Sequence, residues 1–546
     1  MNQRTAIIAV LVAFGHIHPA GGQSPADRRA SIVIVTGSQA TLPIPTLMEG
    51  AAANLANSEI ADQLFLRLAG IGPALVTTGD RDFVPLLARS WTRRDSVTLV
   101  FDLDPRARWQ DGVPVTSRDV LFTFARARNH ELAPRLADLL KNITSVSAEG
   151  ERRVIFTFSH RYAEQLYDAT FHVAPIPAHL LDTIPAEALS RSSFAAQPVG
   201  SGPYRWVRSV PSQFIELAAD PDFFLGKPAI ERVIVRTAAD PDARVNFVLS
   251  GQADAMDNVP PPMDNLRRIA AVPSLRLIPV PSPTVGYLLF NGRDPHHRDR
   301  SHPILNDIRV RRAIRLALDR PVLVQAVFGS YGEVPYGPAS PILWIRHGAP
   351  RPESYNAAEA RRLLAAAGWR DSDHDGTLDR NGQALELTLS LPNTSAARKQ
   401  MAALAQEQLR AIGVRLELRQ FEFPVWNERR SAGDFDIDFT SIIQDPSPSG
   451  LTQSWTCAGG NNVSHYCDPR VDSLIQRAIL GQGDPKQTWH EVLRRIEADV
   501  PAVFLYAPTY VYVVNRRFRN VSLSPVSSWM LLREWSVGAD ASTRGQ

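Results

Sequence analysis

Lys399–Leu418 reads KQMAALAQEQLRAIGVRLEL. The pattern predicts a helix over Lys399–Ile412, stopped by Gly413, with a strand over Val414–Leu418 directly behind it. The same order stands just upstream. Ala357–Ala367 reads as a helix stopped by Gly368, and Leu385–Leu391 alternates as a strand. Helix, glycine and strand in repetition imply an α/β lobe.

Working outward toward the N-terminus, Gly286–Asn291 (GYLLFN) is a strand. Asn306-Asp307 can cap a helix whose buried face is Val310, Ala313, Ile314, Ala317 and Leu318, with Arg309, Arg311, Arg312 and Arg315 turned to water. Residues from about Gly200 to Pro283 are β-rich, with strands at Tyr204–Val207, Phe214–Leu217 and Arg232–Val235 and a short helix at Val245–Leu249. Near the front, Ser31–Thr36 (SIVIVT) reads as a buried strand, Ala51–Leu68 as a helix and Val97–Leu103 as a strand. In Arg108–Arg128, Trp109 ends a strand and Asp111-Gly112 supplies a tight turn. Thr116-Ser117-Arg118-Asp119 then has the spacing of a capping box. These residues make the fold rather than the site. Toward the C-terminus, Val503–Tyr506 and Val511–Val514 read as two late strands that need a sheet to join, and they return the chain to the first lobe. A chain that crosses between lobes more than once favours a hinge.

The length of 546 residues exceeds one ordinary hydrophobic core, so two or more lobes are expected. Net charge is only +3 with no Lys/Arg run, which argues against a nucleic-acid partner. The 42 prolines are scattered, as in a loop-rich protein with many strand edges. At the start, a basic Met1–Arg4, an apolar Thr5–Gly15 and a His16–Gln23 segment ending in PAGG read as a signal peptide over residues 1–23. About 20 apolar residues are needed to span a bilayer, and this stretch is shorter. No cysteine stands near the junction, so a lipid anchor is disfavoured. The expected location is the periplasm.

Catalytic signatures are missing. There is no G-x-S-x-G, H-E-x-x-H, Walker loop or Rossmann fingerprint, which lowers the probability of an enzyme. No cofactor is required. Asp371, Asp373, Asp375 and Asp379 take calcium-loop spacing, although Gly382 stands where a bidentate Glu belongs. Calcium there and a plain charged turn both stand as readings. The only cysteines, Cys457 and Cys467, flank a Gly-Gly-Asn-Asn turn and are expected to form a disulfide outside the cytoplasm. Trp426, Trp455 and Tyr466 bracket the irregular stretch Gln444–Gly450 (QDPSPSG). A pocket that stacks on a solute and fixes one polar group through Asp445 suits this pattern; core packing of each tryptophan is the alternative.

The ordered segments resemble the family-5 extracellular solute-binding proteins of ABC transporters, the dipeptide, oligopeptide and nickel-binding group. The resemblance is carried by Val84–Trp91 (VPLLARSW), Trp109–Val120 (WQDGVPVTSRDV), Gly200–Tyr204 (GSGPY), the strand closing on Asn291, Asp307–Arg320, Asp434-Phe-Asp436, and Tyr466–Leu474. It implies an α/β, two-lobed periplasmic-binding-protein fold, hinge-bending, with an extra subdomain on lobe one. By analogy lobe one comprises 31–68, 198–284 and 502–546, the extra subdomain 69–197, and lobe two 285–501. It also implies a periplasmic importer subunit that captures a peptide or peptide-like solute between the lobes and delivers it to the permease and ATPase subunits. Such a subunit works as a monomer. Trp426, Asp445, Trp455 and Tyr287 are the candidate ligand-binding residues. A periplasmic sensor or chaperone on the same fold is the runner-up reading, and a secreted hydrolase a distant third. One departure stands out. Peptide binders of this family hold the ligand's ammonium with an Asp several residues before the "D-P" or "E-P" pair. Here those positions are Ser441, Ile442, Ile443 and Gln444, so that anchor is absent unless Asp445 itself turns inward; weak binding of ordinary di- and tripeptides is expected, with a modified peptide, another amine-poor solute or a metal chelate bound better.

Overall fold

One strand ties the molecule together. In the computed structural model, which describes residues 30–538 apart from 50, 51, 53, 261 and 262, Ala502–Asn515 runs unbroken for 14 residues. The signal segment read over 1–23 lies outside the described residues. The two short strands expected at Val503–Tyr506 and Val511–Val514 are therefore one. Pro508 sits between them and reads as a breaker, yet it opposes Gly332 in a two-residue pairing at this point. The missing N–H falls where the long strand exchanges one set of neighbours for another.

That exchange defines the architecture. Ala502–Tyr506 pairs with Thr284–Phe290, while Thr509–Asn515 pairs with Leu275–Pro281. The result is a twelve-stranded mixed sheet. On one side of Ala502–Asn515 lie Thr284–Phe290, Ile437–Ile443, Glu386–Pro392 and Arg415–Phe421; on the other lie Ala255–Met256, Ser31–Thr36, Arg232–Thr237, Phe214–Ala219 and Tyr204–Val210. Each half carries its own core. Ser282-Pro283 makes the second crossing between halves, and the two crossings are joined by a 2.8 Å hydrogen bond between the Thr284 and Tyr510 hydroxyls. At this junction Gly286 is required by space: a Cβ there would lie 2.1 Å from Tyr506 Cε1.

A separate four-stranded antiparallel sheet, Ala88–Asp95, Thr98–Leu103, Arg153–Phe158 and Ile143–Glu149, stands beside the first half. Helix Ser117–Ala127 covers it, starting where the Thr116 N–H donates to Asp119 at 2.8 Å. Its core is continuous with that of the first half, and Trp109 is buried in it. The GSGPY turn explains its glycines. Gly202 N–H donates to Leu64 O at the end of helix Leu55–Leu64, and a Cβ on Gly200 would meet that oxygen at 1.7 Å.

The second half is built from the expected α/β alternation. Helices Ala357–Ala366 and Ala396–Arg410 precede strands Glu386–Pro392 and Arg415–Phe421. Helix Ile308–Ala317 starts on Asp307, which accepts from Arg309 N, and buries Val310, Ala313, Ile314 and Ala317. Its arginines do not all face water. Arg315 is 7 % exposed and pairs with Glu497 at 3.1 Å and with Glu353; Arg311 donates to the carbonyls of Asp499 and Val500. The reading failed because a buried arginine with paired carboxylates leaves the same sequence pattern as a solvated one.

Candidate functional site

Strand Ile437–Ile443 runs out of the second half's sheet into Gln444-Asp445-Pro446. Gln444 is fixed by its Nε2 donating to Pro338 O at 2.9 Å and its Oε1 accepting from Ser340 N at 2.8 Å. The chain then turns, with Asp445 Oδ1 accepting the Ser447 N–H at 3.0 Å. Ser447 Oγ reaches across to the segment that follows strand Arg153–Phe158 and donates to Glu164 Oε2 at 2.6 Å. The Thr77 hydroxyl donates to the other oxygen of the same carboxylate.

The facing wall is the segment around Gln165–Thr170, a short helix. Gln165 Nε2 anchors it by donating to Ser96 O and His160 O at 3.0 and 3.1 Å. The Tyr162 hydroxyl donates to Asp168 at 2.7 Å, and His172 Nε2 lies 3.4 Å from the same carboxylate. Between the walls is a cavity of about 280 Å³, lined by Glu164, Tyr167, Asp168 and His172 on one side and by Asp445, Ser447 and Gln453 on the other.

Burial disturbs two of the carboxyls here. Burial pushes the Glu164 carboxyl up to about 7, against the hydrogen bonds from Ser447 and Thr77 that favour its ionised form. Asp445 is exposed at the mouth of the cavity; partial desolvation by the protein around it raises its carboxyl, with His172 pulling the other way. Tyr167 is pushed well above the usual phenol range by burial, then by Asp445, Glu164 and Asp168. Its buried hydroxyl has no hydrogen-bond partner among the described residues.

The four candidate residues divide. Asp445 lines the cavity. Tyr287 and Trp455 pack on each other with ring centroids 5.7 Å apart, and both touch Phe504. At 2 % and 1 % exposure they belong to a core of the second half. Trp426 stands elsewhere on that half and is 5 % exposed. Its Nε1 donates to Asp438 at 2.8 Å, and Arg430 holds the other oxygen of that carboxylate at 2.9 Å. Burial lifts Asp438 to about 6 despite the arginine. All three rings are buried against neighbouring side chains, so Trp426 and Trp455 do not present the open stacking faces expected of them, and Tyr287 does not open onto the cavity. A ring that packs and a ring that stacks on a solute share one sequence signature. Glu164, Tyr167, Asp168 and His172 were missed altogether. Their signal was polar groups set into the otherwise apolar run Tyr162–His172. The positions of the absent ammonium anchor remain without a carboxylate, and Ile443 there is 74 % exposed.

Asp371, Asp373 and Asp375 bring oxygens within 4.8 Å of one another. Asp379 is not part of that group; it accepts from the Ser372 N–H and hydroxyl. Cys457 and Cys467 are joined in a disulfide. No helix among the described residues is long and apolar enough to cross a membrane.

Residues 82–464 match the family of bacterial extracellular solute-binding proteins, family 5 (middle region). The chain belongs to that family. As a family-5 solute-binding protein it is the solute-capturing component of an ABC importer, in a family that works with permease and ATPase components. It is similar to the oligopeptide-binding protein AppA of Bacillus subtilis, 25 % identical over 438 residues and covering 78 % of each chain. The solved structure of that Bacillus subtilis protein with a nonapeptide superposes with a TM-score of 0.73 at 23 % identity, over 93 % of this chain and 99 % of the other. The structure of NikA from Brucella suis with Fe(III)-EDTA gives a TM-score of 0.78 at 18 % identity, over 93 % and 99 %. The two-lobed α/β fold of this family-5 protein is shared with both.

Proposed function

We propose that this family-5 protein works in the periplasm, as a monomer, and captures a peptide or peptide-like solute without chemically changing it. The observation that carries this reading is the cavity between Asp445 of the second half and the Glu164–His172 wall of the subdomain. It is small, polar at a few points and walled from both bodies, as a solute site needs to be. The two crossings at Ser282-Pro283 and Pro508 suit a hinge, since few backbone torsions there reorient whole lobes. A solute that touches both walls favours the closed arrangement, which is the form a permease can distinguish. The oligopeptide-binding name of its relative supports a peptide ligand.

Calorimetry against a peptide library tests the proposal, with mass spectrometry of the recovered peptides. Saturable 1:1 binding with peptides returned intact is expected. Cleaved peptides would overturn the receptor reading.

A further inference from the structure

We infer that Arg276, Arg516 and Arg519 form a site for a phosphate-type oxyanion at the outer end of the first half, away from the solute cavity. The site stands apart from the solute-binding reading above.

The long strand Ala502–Asn515 finishes at this end, and its neighbour Leu275–Pro281 starts there, with Leu275 opposite Asn515. Arg276 lies on the neighbour, and Arg516 and Arg519 follow the end of the long strand. Two main-chain contacts hold the three together. Arg516 Nε donates at 2.9 Å to the carbonyl of Leu275, the residue before Arg276. Arg276 Nη2 donates at 2.9 Å to the carbonyl of Phe518, the residue before Arg519. Burial, then the charges of Arg516 and Arg519, pull the Arg276 guanidinium below its usual value, as like charges held close together do.

No carboxylate answers this charge. The hydrogen bonds of Arg276 and Arg516 end on carbonyls, and Arg519 makes no hydrogen bond or ion pair among the described residues. Asp254 stands nearby but is committed elsewhere. It accepts from Arg517 Nε and Nη2 at 3.0 and 2.9 Å, and from the Val33 N–H at 2.9 Å. Arg516 keeps both Nη groups and Arg519 its whole guanidinium to offer, and both side chains are exposed.

The donor set selects the ligand. Three neighbouring guanidiniums repel one another and exclude a cation. A lone carboxylate would balance one of the three charges. A phosphate group carries more negative charge and has oxygens for more than one guanidinium fork, which is the geometry arginine matches best. The main-chain bonds of Arg276 and Arg516 fix part of each side chain beforehand, so less freedom is lost on binding.

Such a group has two sources, free phosphate and the headgroup of an anionic phospholipid. Calorimetry of the purified protein with inorganic phosphate tests the first. Co-sedimentation with phosphatidylcholine vesicles, with and without phosphatidylglycerol, tests the second. Both belong at low ionic strength, because exposed charges are screened by salt. Arg516→Gln with Arg519→Gln should weaken binding about tenfold or more. Its melting temperature should stay close to that of the parent, since both side chains are exposed. Arg81→Gln with Arg161→Gln removes the same charge from exposed positions elsewhere and should change nothing. Phosphate binding lost in the Arg516/Arg519 variant assigns the site to the free anion. Vesicle binding that needs phosphatidylglycerol and is lost in that variant assigns it to the headgroup. No binding in either arm, binding that survives the Arg516/Arg519 change, or an equal loss in the Arg81/Arg161 variant would overturn the site.

Discussion

The Ser447 hydroxyl donates to the Glu164 carboxylate across 2.6 Å, although 283 positions separate the two residues in the chain. This contact joins the segment after the four-stranded sheet to the second half and makes the stability it contributes depend on pH. Burial raises the Glu164 carboxyl from 4.5 to about 7. The folded protein therefore keeps this proton to about pH 7, while the unfolded chain releases it near 4.5. The stability it contributes is complete below 4.5 and is lost as pH rises through about 7. Relative to Glu164→Gln, the parent should lose up to about 3 kcal/mol between pH 4.5 and 8. Urea unfolding of both proteins at stepped pH checks this; parallel stability curves would refute it.

Trp426→Ala should destabilise the fold by about 3–5 kcal/mol, because it empties a buried ring site and removes a donor from the buried Asp438. Trp426→Phe keeps the ring and loses only the N–H, so it should cost about 1–3 kcal/mol. An unchanged melting temperature in Trp426→Ala would restore the open stacking role expected from sequence.

At the hinge, Gly286→Ala puts a methyl group 2.1 Å from the Tyr506 ring. Tyr506 is buried and packs against Phe328, so the ring has little room to yield. Chemical denaturation should report a loss of about 1–3 kcal/mol. A Gly286→Ala protein as stable as the parent would show that the crossing strands repack freely.

The Cys457–Cys467 disulfide closes a loop of ten positions immediately after the short helix Thr452–Trp455. Reduction should lower stability by about 2–4 kcal/mol. Alkylation of the denatured, unreduced protein should label neither cysteine, and labelling of both would remove the bond.

Much of this fold is legible in sequence because it rests on local periodicity. The Gly413 and Gly368 stops, the Asp307 cap and the buried face of its helix all lie within single elements, where spacing dictates burial. Pairing over long range is not written that way. Val503–Tyr506 and Val511–Val514 read as two strands because Pro508 ordinarily ends one; only the change of partners there lets the strand continue. Asp445 was found because a lone carboxylate in an irregular stretch between aromatics is locally conspicuous. Its facing residues, Tyr167 and Asp168, lie in another body, and no local pattern connects them. Tyr287 and Trp455 were drawn toward the solute by their chemistry alone, which is the same in a core.

The most direct measurement is native mass spectrometry of the protein purified without denaturation. Capture of a small solute in the cavity requires that a fraction of the molecules carry one ligand each. The expected spectrum shows the protein together with a 1:1 adduct of peptide mass, lost after unfolding and refolding and regained when the recovered ligand is added back. Only the bare chain, before and after addition of a broad peptide mixture, would contradict the capture of a peptide-like solute.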